Sequence, residues 1–212
     1  MFLLDLLFPP RCAVCLEIIP VTVPVSWLCA DHAGELSANE ACGVVDNYSL
    51  FIYTGRERDI IRNFKYEFGP PMGGFMKGII EKYADLDKLR GFDCYVPVPL
   101  HKKKQNMRGF NQAIILANAL SEIVGIASVN SLLRIKNTLP QSGLDSLERR
   151  ENIKDAFIVD DSLKGSVEGK YILLVDDIYT TGSTMNECAK TLKAAGAKRV
   201  RFFSFCGVEN AP

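Results

Sequence analysis

The chain has 212 residues, 48% of them hydrophobic and 24% charged, with 25 basic and 25 acidic side chains. That length holds one main domain with room for a small appendage, and the balance is that of an ordinary soluble globular protein. A formal net charge of zero excludes a global electrostatic pull toward nucleic acid, so any such contact has to be local.

In chain order, MFLLDLLFPP is apolar but lacks a basic leading region, carries Asp5 and stops at Pro9-Pro10. It is far too short for a membrane span or a signal peptide and is expected to form a short helix packed on the body. Seven cysteines without a secretory signal suit a reducing compartment, the cytoplasm, where close spacing points to metal or redox chemistry more than to disulfides. Cys12, Cys15, Cys29 and Cys42 crowd the start. Cys12-x-x-Cys15, thirteen residues, then Cys29-x-x-His32 is the spacing of a four-ligand tetrahedral zinc site, which would fold a segment too small to hold itself. The competing reading is a redox dithiol at Cys12 and Cys15. Residues 1–47 are therefore expected to form a zinc module and 48–212 the main domain.

From Tyr48 onward, strand-like runs alternate with helical periodicity, the pattern of an α/β fold with a mainly parallel sheet. Strands are expected over 49–54, 92–98, 127–135, 155–159, 171–176 and 199–206. The last two are apolar at nearly every position, as strands covered on both faces are. FNQAIILANALSEIVG repeats its apolar residues at three-to-four spacing and ends at Gly125; MNECAKTLKAAG ends in the same way at Gly196. Both read as helices stopped by glycine. Cys94, Cys188 and Cys206 lie in apolar surroundings and read as small buried hydrophobes.

YILLVDDIYTTGST carries the chemistry. A buried strand that ends in Asp176-Asp177, then a turn, then a helix puts the turn at the strand's carboxyl edge, where open α/β sheets bind ligands. Thr180, Thr181, Gly182, Ser183 and Thr184 would wrap N–H groups and hydroxyls around an anion at the helix start. The carboxylates would repel that anion, so they address something neutral and rich in O–H donors beside it: a ribose diol next to its 5′-phosphate. The plainer reading is an Asp-Asp cap on a threonine-rich turn. Upstream, VPVPLHKKKQNMRGFNQA ends a strand, turns and presents Lys102, Lys103, Lys104 and Arg108 on a basic loop, which could face a pyrophosphate or a nucleic-acid backbone, or simply solvent.

Apolar run, Asp-Asp, Ile-Tyr, Thr-Thr-Gly-Ser-Thr resembles the phosphoribosyl pyrophosphate (PRPP) motif of type I phosphoribosyltransferases. Arg108-Gly-Phe-Asn-Gln-Ala narrows the resemblance to the ComF family, associated with competence and DNA uptake. Other marks are LLDLLFPPRCAVC, Tyr53 with Gly55, Arg58-Asp59, Lys65-Tyr66, the Val-Pro-Val-Pro-Leu-His strand end, and Thr138 to Gln141 followed by Glu148, Arg149, Asn152 and Phe157. The resemblance implies a type I phosphoribosyltransferase fold in which Asp176 and Asp177 hold the ribose hydroxyls and residues 180–184 the 5′-phosphate. Arg108 and the lysines would hold pyrophosphate, and Mg²⁺ would arrive with PRPP. It also leaves the fourth zinc ligand open between His32 and Cys42, since ComF relatives often carry a cysteine where this chain has His32.

Two functional readings follow from that resemblance. One is a phosphoribosyltransferase, with Asp176, Asp177 and Arg108 in catalytic roles and an acceptor either tied to DNA uptake or unrelated to it. The other is a non-catalytic factor that handles single-stranded DNA through the zinc module, the basic run and the aromatics Trp27, Phe64, Tyr66 and Phe68, with PRPP as a regulatory ligand. The stretch RIKNTLPQSGLDSLERRENIKDAF is expected to form a lid over the site. In it, Asp145 and Glu148 have capping-box spacing.

Overall fold

The computed structural model describes residues 11–19, 28–32, 36, 43–44, 47–68, 70–138 and 145–208. The leading apolar segment, Trp27, Cys42 and 139–144 of the expected lid lie outside them, as does the side chain of Phe68. The strands are β1 (Gly43–Val44), β2 (Asn47–Ile52), β3 (Cys94–Pro97), β4 (Leu132–Arg134), β5 (Phe157–Val159), β6 (Tyr171–Tyr179) and β7 (Arg199–Gly207). The α-helices are α1 (Gly55–Asn63), α2 (Gly73–Tyr83), α3 (Lys102–Arg108), α4 (Gln112–Val124), α5 (Ser146–Ile153) and α6 (Ser183–Ala194).

Five strands make one sheet in the order β1-β2-β7-β6-β3. Only β1 is antiparallel to its neighbour; β2, β7, β6 and β3 run parallel. The expected α/β class with a mainly parallel sheet is what forms. At the centre, Ile172, Leu173, Leu174 and Val175 are each at most 2% exposed, because helices cover both faces of the sheet. Leu173 and Val175 pack with α1, α2 and α4 side chains such as Ile60, Met76 and Leu116. Ile172 and Leu174 pack on the other face with Cys188 and Leu192 of α6. Burying side chains of this size contributes about 1.5–3 kcal/mol each. Cys94, Cys188 and Cys206 are buried in these two layers. Both expected glycine stops hold: Gly125 and Gly196 have φ of 81° and 94°, in the left-handed region that ends helices.

Several elements depart from expectation. The stretch 127–135 touches β3 only through a single bridge, Tyr95 to Ser128. It then bends, Ser131 N–H donating to Val129, and pairs antiparallel with β5 as a separate two-stranded sheet. The strand expected from 155 starts two residues later, because Asp155 has φ of 52° and cannot lie in a strand. The basic run, expected as a turn, is the helix α3: the His101 ring accepts the Lys103 N–H at its start and Gly109, φ 83°, closes it. β6 continues to Tyr179 because β7 keeps pairing with it, Ile178 opposite Cys206 and Tyr179 opposite Gly207. The aspartates therefore lie inside the strand.

The described part of the cysteine segment packs into the main core: Cys12, Ala13, Val14 and Ile19 are buried there. The Asn63 amide at the end of α1 donates to the carbonyls of Ala13 and Val14, both at 2.9 Å. No described helix is long and apolar enough to cross a membrane.

Candidate functional site

The pairing of β6 with β3 stops at Val175 opposite Pro97. From Asp176 onward β6 has a partner on one side only, and its carboxyl end borders a cavity of about 330 Å³. Its walls are Tyr53, Lys65, Arg149, Asp176, Asp177, Ile178, Tyr179, Thr180, Gly182, Ser183, Thr184 and Met185. Tyr53 follows the end of β2, so the site gathers groups from the carboxyl ends of two strands, the position at which open α/β sheets bind ligands.

The turn after β6 is built around Gly182, which caps α6 with φ of 68°. A Cβ at that position would lie 2.7 Å from Tyr179 Cζ and 3.1 Å from Asn186 Nδ2, so both the backbone angle and the space require glycine. Ser183, Thr184 and Met185 follow as the first turn of α6, whose N–H groups lack helical acceptors and whose dipole favours negative charge. Thr181 is not part of the cavity wall; its hydroxyl pairs with that of Ser183 at 2.8 Å. Hydroxyls and helix-start N–H groups around a left-handed glycine are the chemistry that suits a phosphate-sized anion.

The strand pleat turns the two aspartates in opposite directions. Asp177, 7% exposed, meets the Lys65 ammonium at 2.5 Å, a short ion pair off the direction of a hydrogen bond. Lys65 stands on a π-helical turn, Phe64–Phe68, that continues α1, a departure from α geometry often found at functional sites. Burial works against the charge on Lys65, but Asp177 and then Asp176 outweigh it and hold its pKa above the ordinary value. The charge on Asp176 is felt by Cys188 and Arg134, and its carboxylate accepts the Asp177 N–H at 2.8 Å. Burial, then the charge on Asp177, pushes the Asp176 carboxyl well above the usual carboxylate range.

The basic run approaches from the β3 side without lining this cavity. Lys104 and Arg108 are half-buried on one face of α3, and Lys102 and Lys103 are exposed. Burial, Arg134 and Arg108 together lower the pKa of Lys104. Arg108 donates to the Gln112 side-chain oxygen at 2.7 Å and lies over the Tyr66 ring at 5.4 Å. The residues after it have structural tasks: Phe110 packs on Phe64, and Asn111 caps α4 while donating to the Val98 carbonyl at 2.9 Å. Arg134, Lys102, Asn111 and Leu132 line a second cavity of about 340 Å³ beyond β3.

Residue-type reasoning did not single out Tyr53, Lys65, Arg149 or Arg134 as site members. All four lie far from the Asp-Asp turn in sequence, and only the fold brings them near it. Among the aromatics considered for stacking, Phe64 is fully buried and unavailable, whereas Tyr66 is 70% exposed.

At the other end of the described chain, the donor atoms of Cys12, Cys15, Cys29 and His32 all lie within 4.8 Å of one another. Cys15 and Cys29 sulfurs are 3.8 Å apart, Cys12 sulfur is 3.6 Å from His32 Nδ1, and Cys29 sulfur is 3.1 Å from it. Tetrahedral bonds of zinc length would put such donors roughly 3.5–3.8 Å apart, so this set could hold a metal ion such as zinc. Burial opposes ionisation of Cys12, but backbone N–H groups of Cys15, Cys29 and Val14 outweigh it and bring the thiol down to about 7. Burial, with its thiol neighbours, pushes Cys15 up to about 11.

The model of the phosphoribosyl transferase domain family matches residues 106–211, half of the chain. Competence protein F of Haemophilus influenzae is 39% identical over 110 residues, covering 51% of this chain and 48% of that protein. Competence protein ComFC of Bacillus subtilis is 30% identical over 151 residues, covering 71% and 59%. The chain belongs to the phosphoribosyl transferase domain family, in its ComF group. DNA utilization protein YhgH of Escherichia coli is a further relative, 35% identical over 115 residues, covering 54% of this ComF-family chain and 49% of that protein. The match thus spans about half the length of these curated relatives. Among solved structures, the glutamine PRPP amidotransferase of B. subtilis is 19% identical, with a TM-score of 0.42 over 66% of this chain and 29% of that one. The adenine phosphoribosyl transferase of Trypanosoma brucei is 11% identical, with a TM-score of 0.39 over 67% and 68%. These overlaps are too loose to carry any residue role over to this chain.

Proposed function

We propose that this ComF-family chain binds PRPP at the carboxyl edge of β6 and serves DNA uptake, as the names of its competence relatives suggest. The observation that carries the reading is the pairing of opposite chemistries in one cavity. A glycine-capped helix start suited to a phosphate stands beside two carboxylates suited to a neutral diol. In this reading Asp176 and Asp177 accept the ribose hydroxyls, and Thr180, Gly182, Ser183 and Thr184 take the 5′-phosphate. Thr181 holds the turn through Ser183. Arg108, Lys104 and the exposed Lys102 and Lys103 lie on the β3 side, where they would neutralise a pyrophosphate.

The reaction such a site serves is displacement of pyrophosphate from C1 of PRPP by a nucleophile. The chain would act mainly by positioning the sugar and neutralising the leaving group, with Asp176, Asp177 and Arg108 in the leading roles. Among the described residues, groups of three or more metal-ligating side chains occur only around Cys29. Mg²⁺ would therefore come bound to the substrate's own phosphate and ribose oxygens, where it offsets pyrophosphate charge. Zinc on Cys12, Cys15, Cys29 and His32 would be structural, tying the start of the chain to the end of α1; Cys42, the other candidate ligand, lies outside the described residues.

A second reading rests on a separate observation: Tyr66 is 70% and Met107 87% exposed, flanking Arg108 near the basic helix. Such a platform suits base stacking with backbone neutralisation, the mode by which single-stranded DNA is held. One set of titrations tests both readings. Thermal shifts with PRPP and Mg²⁺ are expected to exceed those with ribose 5-phosphate and to vanish in Asp176→Asn/Asp177→Asn. Salt-dependent binding of single-stranded DNA that survives that double variant would establish the second surface as independent. No shift with PRPP in folded, metal-loaded protein would refute the sugar-phosphate reading.

A further inference from the structure

Of two adjacent carboxylates, only one is in contact with a cation. Lys65 pairs with Asp177, and among the described residues no Lys, Arg or His lies within ion-pair distance of Asp176. A single ammonium cannot compensate both charges in a half-enclosed site, so the two carboxyls are electrostatically unequal before any ligand arrives. Lys65 also lines the cavity, so its ammonium, with three N–H groups, faces the cavity as well as Asp177. Its place on the π-helical turn after α1 gives it an aim that the regular helix would not supply.

We propose that Lys65 is the positioning residue of the aspartate pair: by holding Asp177 as its ion-pair partner it fixes the charge there and leaves Asp176 as the carboxyl that releases its proton when a sugar diol binds. This rests on the sugar-phosphate reading above. The proton count balances simply: the Asp176 carboxylic acid becomes carboxylate, its proton goes to solvent, and the carboxylate accepts a ribose O–H. The surroundings agree with this division. Asp177 is paired with Lys65; Lys65 also feels Asp176 and Arg108, and Cys206 of β7 feels Asp177, Glu57 of α1 and Lys65. Asp176 feels Asp177 and, more weakly, Lys65, and acts in turn on Cys188 of α6 and Arg134 of β4; Arg149 of α5 lines the same cavity.

The test is calorimetric binding of PRPP with Mg²⁺ across pH, in buffers of different ionisation enthalpy, for the wild type, Lys65→Arg and Lys65→Met. The wild type is expected to release up to one proton per site and to bind more tightly with rising pH, at most about tenfold per pH unit. Lys65→Arg, which keeps the charge, should preserve that profile. Lys65→Met should bind about tenfold or more weakly near neutrality and regain affinity only at higher pH. An equal loss at every pH, or no loss, would overturn the proposal. A ligand-free readout separates it from the sugar reading: carboxyl ¹³C titration of aspartate-labelled protein, assigned with Asp176→Asn. If Lys65→Met moves the pair's titration upward while the wild type fails to bind PRPP, the positioning role stands and the sugar reading falls. If the titration does not move, the proposal falls whatever binds.

Discussion

The β6–α6 turn takes its ligand-facing groups from nearly consecutive residues, Asp176 to Met185, each placed by regular structure: a strand anchored on β7, a left-handed glycine, the first turn of a helix. The cysteine–histidine cluster takes four donors from two short stretches whose regular structure is a single 3₁₀ turn, Ala30–His32. The first site is held by backbone geometry and charged against itself, with two adjacent carboxylates of which one is paired with a lysine. In the second, the donor atoms are held mainly by their contacts with one another and by short loops of backbone. The contrast teaches that ligand should matter for affinity in the first and for folding in the second.

The largest effect expected from that contrast lies at the cluster. Stripping metal with a strong chelator, or Cys12→Ser with Cys15→Ser, should lower Tm by roughly 10 °C or more, on a scale of about 2–4 °C per kcal/mol for a chain of this size. Metal content by elemental analysis should fall in parallel. An unchanged Tm would mean that packing of Cys12 to Val14 on α1 suffices without metal, and the contrast would break.

Next is Gly182→Ala, which meets both a left-handed φ and the Tyr179 ring. It should cost about 1–3 kcal/mol of stability, read by denaturant unfolding, and should remove measurable binding of ribose 5-phosphate as well as PRPP. Loss of stability with retained binding would place the anion seat elsewhere.

Asp176→Asn should separate affinity from stability. A carboxyl whose folded-state pKa lies above its unfolded value costs nothing below the usual carboxylate range. The cost grows as pH rises from that range to the raised folded value. Ligand-free wild type should therefore lose stability across this window, and Asp176→Asn should flatten the loss, raising Tm near neutrality while abolishing PRPP binding. Thermal scans over pH would show this directly. A Tm below wild type at every pH would contradict the electrostatic strain at Asp176.

Smaller effects sharpen the edges of the site. Arg108→Met should weaken PRPP about tenfold and leave ribose 5-phosphate unchanged in the same titration, since only the former carries pyrophosphate. Asp145→Ala removes one half of the capping box with Glu148, whose two bonds are each 2.8 Å. It should cost about 1 kcal/mol, seen as faster hydrogen exchange in α5, which carries Arg149 to the cavity wall.

What could be read from the sequence follows the same division. The Asp-Asp turn was legible because its chemistry is contiguous: an apolar strand, two carboxylates, a glycine that the geometry demands and hydroxyls that follow it. The capping box at Asp145 was legible for the same reason. Lys65 was not, because its role depends on a π-helical turn and on the packing of α1 against the sheet, neither of which leaves a periodicity in FKYEF. The basic run misled as a turn, since lysines tolerate both loop and helix and only the His101 cap decides between them. Strand ends moved by one to three residues where a partner strand, invisible in the local pattern, stopped or continued.

The most direct measurement is isothermal titration of PRPP with Mg²⁺ into the wild type and into Asp176→Asn/Asp177→Asn, both shown to be folded and metal-loaded. One site per chain in the wild type and none in the variant is the predicted result. Equal binding by both, or none by either, would contradict a sugar-phosphate site at the end of β6.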